Sequence, residues 1–396
     1  MKSKLFIVTV LAYLAFISIG LPDGLLGVAW PSIRTFYHLP IEALGTLLLL
    51  FTFGYLISSF YNGWLLARMN IGMLLVLSCL ATGVSLIGFT IAPNWWMFVL
   101  FANIAGLGAG AIDAGLNTYA AKNFSPRTIN WLHAAYGVGT STGPYIMTAL
   151  LVRNFPWQSG YAIVGTSQLV LATLFLVTLK QWKNEQHSAA QAAKREIPLM
   201  KTLRLPQVWL SIALFFLYTG LEASLGLWSY TLLTEARRID IATAGMWVSV
   251  YWITFTAGRL LSGFIANRVQ PNSFLRVSII GVIIGAALLW QNGSHETSFI
   301  GLAMMGLFCA PIFPTLIATT PTRLGVANAA NAIGFQIAAA TISWSAIPAL
   351  LGLLAGNMGL SFLAPAFFLL TVLVMVFHEA FLLTLRLPRK IDVLTA

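Results

Sequence analysis

The stretch at residues 72–91, GMLLVLSCLATGVSLIGFTI, runs for 20 positions without a charged residue. A helix needs about 20 apolar residues to cross a hydrocarbon core of roughly 30 Å. Every backbone polar group in that core must be paired within the protein, and a helix achieves this inside one segment. The stretch therefore predicts a transmembrane helix.

Eleven other predominantly apolar stretches lie along the 396-residue chain, which is 58% hydrophobic and only 8% charged. A soluble domain carries about 25% charged residues, which help to cover its surface. We therefore predict an all-α membrane protein with twelve transmembrane helices. The predicted spans are residues 5–30, 43–66, 72–91, 95–121, 130–152, 159–179, 207–233, 243–267, 275–291, 297–320, 326–353 and 360–385.

A polar, basic segment at residues 180–206 separates six predicted spans from the other six. We predict an N-terminal six-helix bundle over residues 1–179, a cytoplasmic linker over 180–206 and a C-terminal six-helix bundle over 207–396. A repeat of two such halves, with the substrate site between them, is a known plan of transporters.

The two halves share marked positions at an offset of 200 residues. Gly20 aligns with Gly220, and Gly106 aligns with Gly306. The shared offset favours two pseudo-symmetric halves.

The 22 Lys and Arg residues predict the orientation of the helices. If the N-terminus is cytoplasmic, 17 of them fall on the cytoplasmic side, 4 fall outside, and Arg259 lies within a span. Cytoplasmic loops are enriched in Lys and Arg, so we expect a multi-pass protein of the cell membrane with both termini in the cytoplasm. The net charge of +11 is scattered over segment ends, so we expect no nucleic-acid partner.

The sequence shows no phosphate-binding loop, metal-ligand cluster or nucleophile constellation. The Gly-x-Gly-x-Gly pattern at residues 106–110 lies within an apolar span rather than after a strand, so it does not predict a nucleotide site. We expect no cofactor, no metal and no enzymatic activity. The energy for transport would then come from a gradient of an ion or of the substrate.

Two loop segments resemble a motif of the major facilitator superfamily that reads roughly G-x-L-A-D-R-x-G-R-R. They are residues 63–70, GWLLARMN, and residues 263–270, GFIANRVQ. Both keep the Gly and the Arg, and both lack the Asp, which is replaced by Ala67 and Asn267. With the six-plus-six arrangement and the basic central loop, this resemblance implies the major facilitator fold and transport by alternating access.

A narrower resemblance lies in the fourth span. Residues 110–119, GAIDAGLNTY, are similar to the acid-x-x-x-Asn-x-Tyr element of the fucose permease branch, which includes proton-coupled sugar symporters. That branch often has Glu where this chain has Asp113. The first span, with Asp23 in its middle, agrees with the same branch.

Asp23 and Asp113 are predicted to couple transport to protons. A charge at membrane depth costs about 2.5–3.5 kcal/mol, and burial favours the neutral form of a carboxyl group. Asn117 shares a helix face with Asp113, and its amide suits a sugar hydroxyl, so we predict that it binds substrate. Asp113 could instead be a structural hydrogen-bonding group between helices.

The segment around Asp23 also predicts a break in the first helix. Pro22 removes a helix hydrogen bond and Gly24 loosens the backbone, and broken helices often line transporter sites. Asp23 could instead cap the second half of this helix.

Three further ionisable residues, Glu222, Arg259 and His133, are predicted as substrate-binding residues. Glu222 and Arg259 could instead form a buried ion pair, while Arg259 alone could hold an anionic substrate. His133 could be a pH-sensitive group or a buried histidine with its hydrogen bonds satisfied.

Polar and aromatic residues complete the predicted site. Asn328, Asn331 and Gln336 follow one another at helical spacing on the eleventh span and are predicted to bind substrate, although such amides also join helices. Tyr136 and Trp252 are predicted to line the cavity because aromatic faces stack on sugar rings.

The leading hypothesis is a secondary active transporter that carries a small neutral polar solute such as a sugar together with protons. The alternative is a proton-driven exporter of amphipathic compounds. A membrane receptor without transport is a third possibility, for which the sequence offers no soluble signalling domain. The expected partners are the small-molecule substrate, protons and the lipid bilayer, and we expect a monomer.

Overall fold

The structure, a computed structural model, describes residues 2–182, 198–265, 268–291 and 293–386. All regular secondary structure in these ranges is helical. The α-helices are α1 (Lys2–Phe36), α2 (Ala43–Phe60), α3 (Asn62–Arg68), α4 (Ile71–Ile91), α5 (Trp95–Asn123), α6 (Pro126–Val152), α7 (Gln158–Val177), α8 (Leu199–Leu203), α9 (Pro206–Thr231), α10 (Ile241–Ile265), α11 (Pro271–Gln291), α12 (His295–Cys309), α13 (Ile312–Leu324), α14 (Val326–Met358) and α15 (Leu363–Arg386). A π-helical turn follows α9 at Leu232–Ala236, and 3-10 turns lie at Leu179–Gln181 and Leu360–Phe362.

Eleven helical segments of the described chain are long and apolar enough to cross a membrane. The other long helix, α6, has 27 residues but carries His133 and the polar run Thr140-Ser141-Thr142. It packs against α1 and α10, so it runs within the same layer as the apolar helices. The prediction of an all-α, multi-pass membrane protein is therefore confirmed.

The observed helices follow the predicted spans with two local interruptions. The second span bends at Tyr61, between α2 and α3, and the tenth is interrupted at Ala310 and Pro311, between α12 and α13. Pro311 cannot donate a backbone hydrogen bond, which explains why the second interruption falls there. Of the predicted linker, residues 183–197 lie outside the described residues.

Helix α1 is continuous from Lys2 to Phe36 although Pro22 lies inside it, so the predicted break around Asp23 is wrong. Pro22 lacks an N–H and cannot bond to the carbonyl of Ser18, four residues earlier. The side-chain amide of Gln168 in α7 donates a hydrogen bond to that carbonyl at 3.0 Å. The helix stays intact because a neighbouring side chain replaces the lost backbone hydrogen bond.

The same helix pairs recur in the two halves of the chain. In the first half α1 packs on α6, α2 on α5, and α4 on α5 and α7. In the second half α9 packs on α14, α10 on α12, and α11 on α12 and α15, which are the corresponding pairs. Gly106 has no room for a Cβ against the Phe51 carbonyl, and Gly306 has none against the Tyr251 carbonyl. Both contacts are related by the 200-residue offset, so they support the predicted repeat.

The helices end at two faces. The distal face is the end that carries the connections at residues 37–42, 92–94, 153–157, 237–240 and 359–362. The terminal face is the opposite end, where α1 begins and α15 finishes. The Tyr37 hydroxyl donates a hydrogen bond to the Ala92 carbonyl at 2.8 Å, which ties two distal connections together.

The two halves meet at the distal face. Arg34 at the end of α1 forms an ion pair with Glu235 at 2.5 Å, and this pair crosses from one half to the other. A Cβ at Gly45 in α2 would lie 2.9 Å from the Cβ of Ala349 in α14, so these helices touch closely near the same face. The structure is therefore a conformation in which the distal face is closed.

Candidate transport site

A cavity lies between the two halves, and its empty space, including the part that is open to solvent, is about 890 Å³. Its wall is formed by α1, α2, α4, α5 and α7 of the first half and by α9, α10 and α14 of the second. Most of the lining side chains are Leu, Phe and Ala, and the polar or aromatic exceptions include Asp23, Trp252 and Trp344. A mainly apolar cavity with a few placed polar groups is typical of a small-molecule site.

Asp23 lies on the cavity wall and is held by Tyr136. The Tyr136 hydroxyl in α6 donates a hydrogen bond to the Asp23 carboxyl at 2.7 Å. Close packing of α1 on α6 fixes this contact, since Gly20 and Gly24 of α1 lie directly against the α6 backbone around Thr140. Asp23 and Tyr136, which were predicted as separate site residues, are therefore hydrogen-bonded to each other at the cavity wall.

Asp113 lies one helical turn beyond Ala109, a cavity-lining residue of the same α5 face, in the direction of the terminal face. The Tyr55 hydroxyl of α2 donates a hydrogen bond to one carboxyl oxygen of Asp113 at 2.5 Å. The Asn117 amide donates one to the other oxygen at 2.9 Å. Asp23 thus lies at the cavity wall, and Asp113 lies closer to the terminal face.

Glu222 and Arg259 form an ion pair in the second half, with 3.7 Å between charged atoms. Glu222 is buried, and the guanidinium of Arg259 also stacks on the ring of Phe255 at 4.4 Å. The backbone carbonyl of Glu222 accepts a hydrogen bond from the Tyr251 hydroxyl at 3.3 Å. The structure therefore contains the ion pair that the sequence offered as one alternative, and a role of either residue in binding substrate stays a prediction.

His133 lies between the charged groups of the two halves. Its side chain is exposed, and its ring meets the ring of Phe16 edge-on at 5.5 Å. It interacts electrostatically with Asp113 in the first half and with Arg259 in the second. His133 therefore lies within electrostatic range of an acidic group in one half and a basic group in the other, and a role in binding substrate stays a prediction.

The three amides of α14 are engaged with other helices. Asn328 and Asn331 both hydrogen-bond the Thr202 hydroxyl of α8, at 3.1 and 3.2 Å. Gln336 hydrogen-bonds Ser211 of α9 and accepts a hydrogen bond from Thr320 of α13 at 3.1 Å. These amides do not belong to the described cavity wall. Their predicted contact with substrate is untested by this conformation.

Sequence reasoning missed several polar residues at the site, among them Tyr55, Tyr161 and Gln168. Tyr161 and Gln168 lie in α7 and line the cavity, while Tyr55 binds Asp113. Gln168 is an amide inside an apolar span, the same signal that drew attention to Gln336, so it could have been found. Tyr55 and Tyr161 carry no such signal, because tyrosine is common in membrane helices.

The first copy of the loop motif ends α3. The Arg68 guanidinium stacks on the Trp64 ring at 3.8 Å, and a Cβ at Gly63 would meet no atom within 4 Å. Gly263, at the equivalent position, is equally open. Asn267 of the second copy lies outside the described residues.

Two related sets of membrane helices around a central cavity are the arrangement of a membrane transporter. The chain belongs to the Major Facilitator Superfamily, whose family model matches residues 5–290. Members of this superfamily are transporters and not enzymes, so the prediction that the chain has no enzymatic activity agrees with its family.

Two relatives have similar sequences over most of the chain. Bypass of stop codon protein 6 of Saccharomyces cerevisiae is 23% identical over 390 residues, which cover 88% of this chain and 77% of that protein. Sodium-dependent glucose transporter 1 of Homo sapiens is 22% identical over 383 residues, which cover 87% of this chain and 72% of that protein.

Three solved structures share the fold. A bacterial homolog of the human lysosomal transporter Spinster, inward-facing and occupied, matches with a TM-score of 0.76 at 11% identity over 98% of this chain and 99% of that one. The D-xylose-proton symporter matches with a TM-score of 0.75 at 13% identity over 95% and 97%. FucP, a major facilitator transporter in the outward conformation, matches with a TM-score of 0.63 at 17% identity over 96% and 99%. The predicted major facilitator fold is confirmed.

Proposed function

We propose that this protein carries a small neutral polar solute, a sugar, across the membrane together with protons. The observation that carries the proposal is the difference among three carboxyl groups inside the membrane spans, of which Glu222 is buried and Asp23 and Asp113 are half-buried. Glu222 has Arg259 as its counter-charge. Asp23 and Asp113 are held by hydroxyl and amide groups, and within the described part of the chain neither forms an ion pair.

A carboxylate without a counter-charge is costly at membrane depth, so the two aspartates suit a cycle in which they are protonated. Tyr136 and Tyr55 hold them through single hydroxyl groups, which can donate to a carboxylate and can accept from a carboxylic acid. Each aspartate can therefore keep its partner in both protonation states. This is the behaviour required of a proton-coupling site.

The terminal face is proposed to be cytoplasmic. The Lys and Arg distribution favours this orientation. The closed distal face would then be the outer face, and the structure would be inward-facing. The higher TM-score with an inward-facing relative than with an outward-facing one supports this assignment.

A neutral solute fits the cavity better than an anion does. The cavity wall includes no Lys or Arg in the described residues, and Arg259 is occupied by Glu222. The human relative is named for glucose and for sodium, and a structural neighbour is named for D-xylose and protons. These names support a sugar as substrate and require that sodium be tested beside protons.

The proposal is tested by uptake into proteoliposomes. Purified protein is reconstituted, and accumulation of D-glucose, D-mannose, D-xylose and L-fucose is measured with an inward proton gradient, an inward sodium gradient or neither. Accumulation of at least one sugar is expected with the proton gradient only. Asp113→Asn should abolish accumulation and preserve exchange of labelled for unlabelled sugar, because a neutral amide keeps the hydrogen bonds but carries no proton. Accumulation that follows sodium, or that survives in Asp113→Asn, would contradict proton coupling at this residue.

The apolar character of the cavity wall favours a second candidate, the proton-driven efflux of amphipathic compounds. Leu, Phe and Ala side chains make up most of the lining. In this case overexpression should lower the susceptibility of cells to amphipathic drugs, and the four sugars should show no accumulation.

A further inference from the structure

Three polar atoms around the cavity have no hydrogen-bond partner among the residues that the structure describes. They are the Tyr161 hydroxyl, the carbonyl oxygen of the Gln168 side chain and the Trp252 indole N–H. The three residues line the same cavity and are only 1%, 0% and 2% exposed. A buried polar group without a partner destabilises a fold, so each of these three groups needs an explanation.

The local fold does not explain these free atoms. Gln168 uses its amide N–H to hold the Ser18 carbonyl, which leaves its own oxygen open. The Trp252 ring is fixed against Gly226, where no Cβ would fit, and lies edge-on to Phe255 at 5.6 Å. Tyr161 packs against Phe89 at 5.3 Å between ring centroids, again without engaging its hydroxyl. Packing therefore orients each side chain and leaves its polar atom buried at the cavity wall without a partner, so a small shift of the wall must accompany binding of a ligand to it.

The three unpartnered atoms determine which hydrogen-bonding groups a ligand needs. The Gln168 oxygen only accepts, so the ligand needs a donor there. The Trp252 indole only donates, so the ligand needs an acceptor there. The Tyr161 hydroxyl can do either. Hydroxyl groups of a ligand satisfy all three positions, and the apolar remainder of the wall suits a ring with a face of C–H groups.

We infer that Tyr161, Gln168 and Trp252 form the substrate-recognition set of the cavity, and that the substrate is a neutral pyranose whose hydroxyls bind these three groups. This inference rests on the proposed transport of a sugar and names the residues that select it. Tyr161 and Gln168 lie seven residues apart, so they share one face of α7. Trp252 belongs to α10 in the other half, so the bound ring would bridge the two halves that move against each other.

The test is ligand-induced thermal stabilisation of the purified full-length protein in detergent. D-glucose, D-mannose, D-galactose, D-xylose and L-fucose are each titrated against the wild type, Tyr161→Phe and Trp252→Phe. Gln168 is left unchanged because it also supports α1. At least one pyranose should stabilise the wild type. Its apparent Kd should rise about threefold to tenfold in each variant, since each loses one hydrogen bond to the ligand.

The unliganded stability of Tyr161→Phe separates recognition from a structural role. This variant loses no hydrogen bond within the described protein, so its Tm without sugar should be unchanged or higher. Ser229→Ala is the control, since it removes a buried, unpartnered polar group away from the cavity wall. Its sugar affinity should equal that of the wild type.

Two results would overturn the inference. One is the absence of stabilisation by all five pyranoses. The other is an unchanged affinity in Tyr161→Phe and Trp252→Phe, which would mean that the free atoms bind water only. Because binding is measured without a gradient, a protein that binds sugar as described but shows no proton-driven uptake would refute the proposed coupling alone.

Discussion

Glu222 depends on Arg259 for its charge balance. The carboxylate is buried, the guanidinium is about a quarter exposed, and their charged atoms lie 3.7 Å apart. Removing one member of a buried ion pair leaves the other uncompensated, whereas removing both is often tolerated.

Arg259→Met should therefore lower the free energy of unfolding by about 2 kcal/mol, less than for a fully buried pair because Arg259 reaches solvent. The double variant Glu222→Gln/Arg259→Met should recover at least half of that loss. Thermal unfolding followed with a thiol-reactive dye suits this comparison, since Cys79 and Cys309 are both buried. A double variant no more stable than Arg259→Met would show that Glu222 does not need its partner.

Single residues also show what the sequence can and cannot predict. Asp23 and Asp113 were predictable as candidates because charged side chains inside an apolar span need a reason to be there. The hydrogen bond between Tyr55 and Asp113 was not predictable, because it depends on the register between α2 and α5, which no local pattern encodes. The free oxygen of Gln168 likewise follows only from knowing which atoms surround it.

The packing of α1 against α6 depends on small residues. Gly139 and Gly143 of α6 leave no space for a Cβ against the α1 backbone around Ile17 and Gly24. Small residues allow two membrane helices to approach until their backbones touch. This contact also sets the distance between Asp23 and Tyr136.

Gly139→Ala should force α1 and α6 apart and destabilise the protein by about 1–3 kcal/mol, as overpacking of a tight contact does. Gly334→Ala in α14 is the matched control, because a Cβ there would meet no atom within 4 Å. The control should be neutral or more stable, since Ala favours helix over Gly by about 0.5–1 kcal/mol. Equal thermal stability of the two variants would contradict the described packing.

Helix positions followed from hydropathy, whereas helix continuity did not. The apolar runs predicted the spans because the bilayer imposes their length. The continuity of α1 at Pro22 depends on Gln168, which is far away in sequence and close only after α7 has packed. The expected break therefore failed for a tertiary reason.

The whole molecule is held closed at the distal face by contacts between its halves. The Arg34–Glu235 ion pair and the approach of Gly45 to Ala349 both lie there. Alternating access requires these contacts to separate during each transport cycle. The repeat of two halves was predictable from the 200-residue offset, but the closed face was not, because one sequence must support both conformations.

The double variant Gly45→Cys/Ala349→Cys should form a disulfide on oxidation, because the Cβ positions, 2.9 Å apart, need only a small adjustment to reach the usual separation of about 3.5–4.5 Å. Sugar uptake by proteoliposomes should then stop and should return on reduction. Each single cysteine variant serves as the control and should keep its activity under the same oxidant. Undiminished uptake by the cross-linked protein would show that the distal face need not open.

The most direct test of proton-coupled sugar transport is to measure proton movement caused by the sugar itself. Proteoliposomes are loaded with a pH-sensitive dye, and the sugar that the wild type accumulates is added outside, without an imposed gradient. The account predicts that the lumen acidifies as the sugar enters, and that Asp113→Asn, which still exchanges sugar when the proteoliposomes are preloaded with it, shows no acidification. Sugar entry into wild-type proteoliposomes at constant lumenal pH would contradict the account.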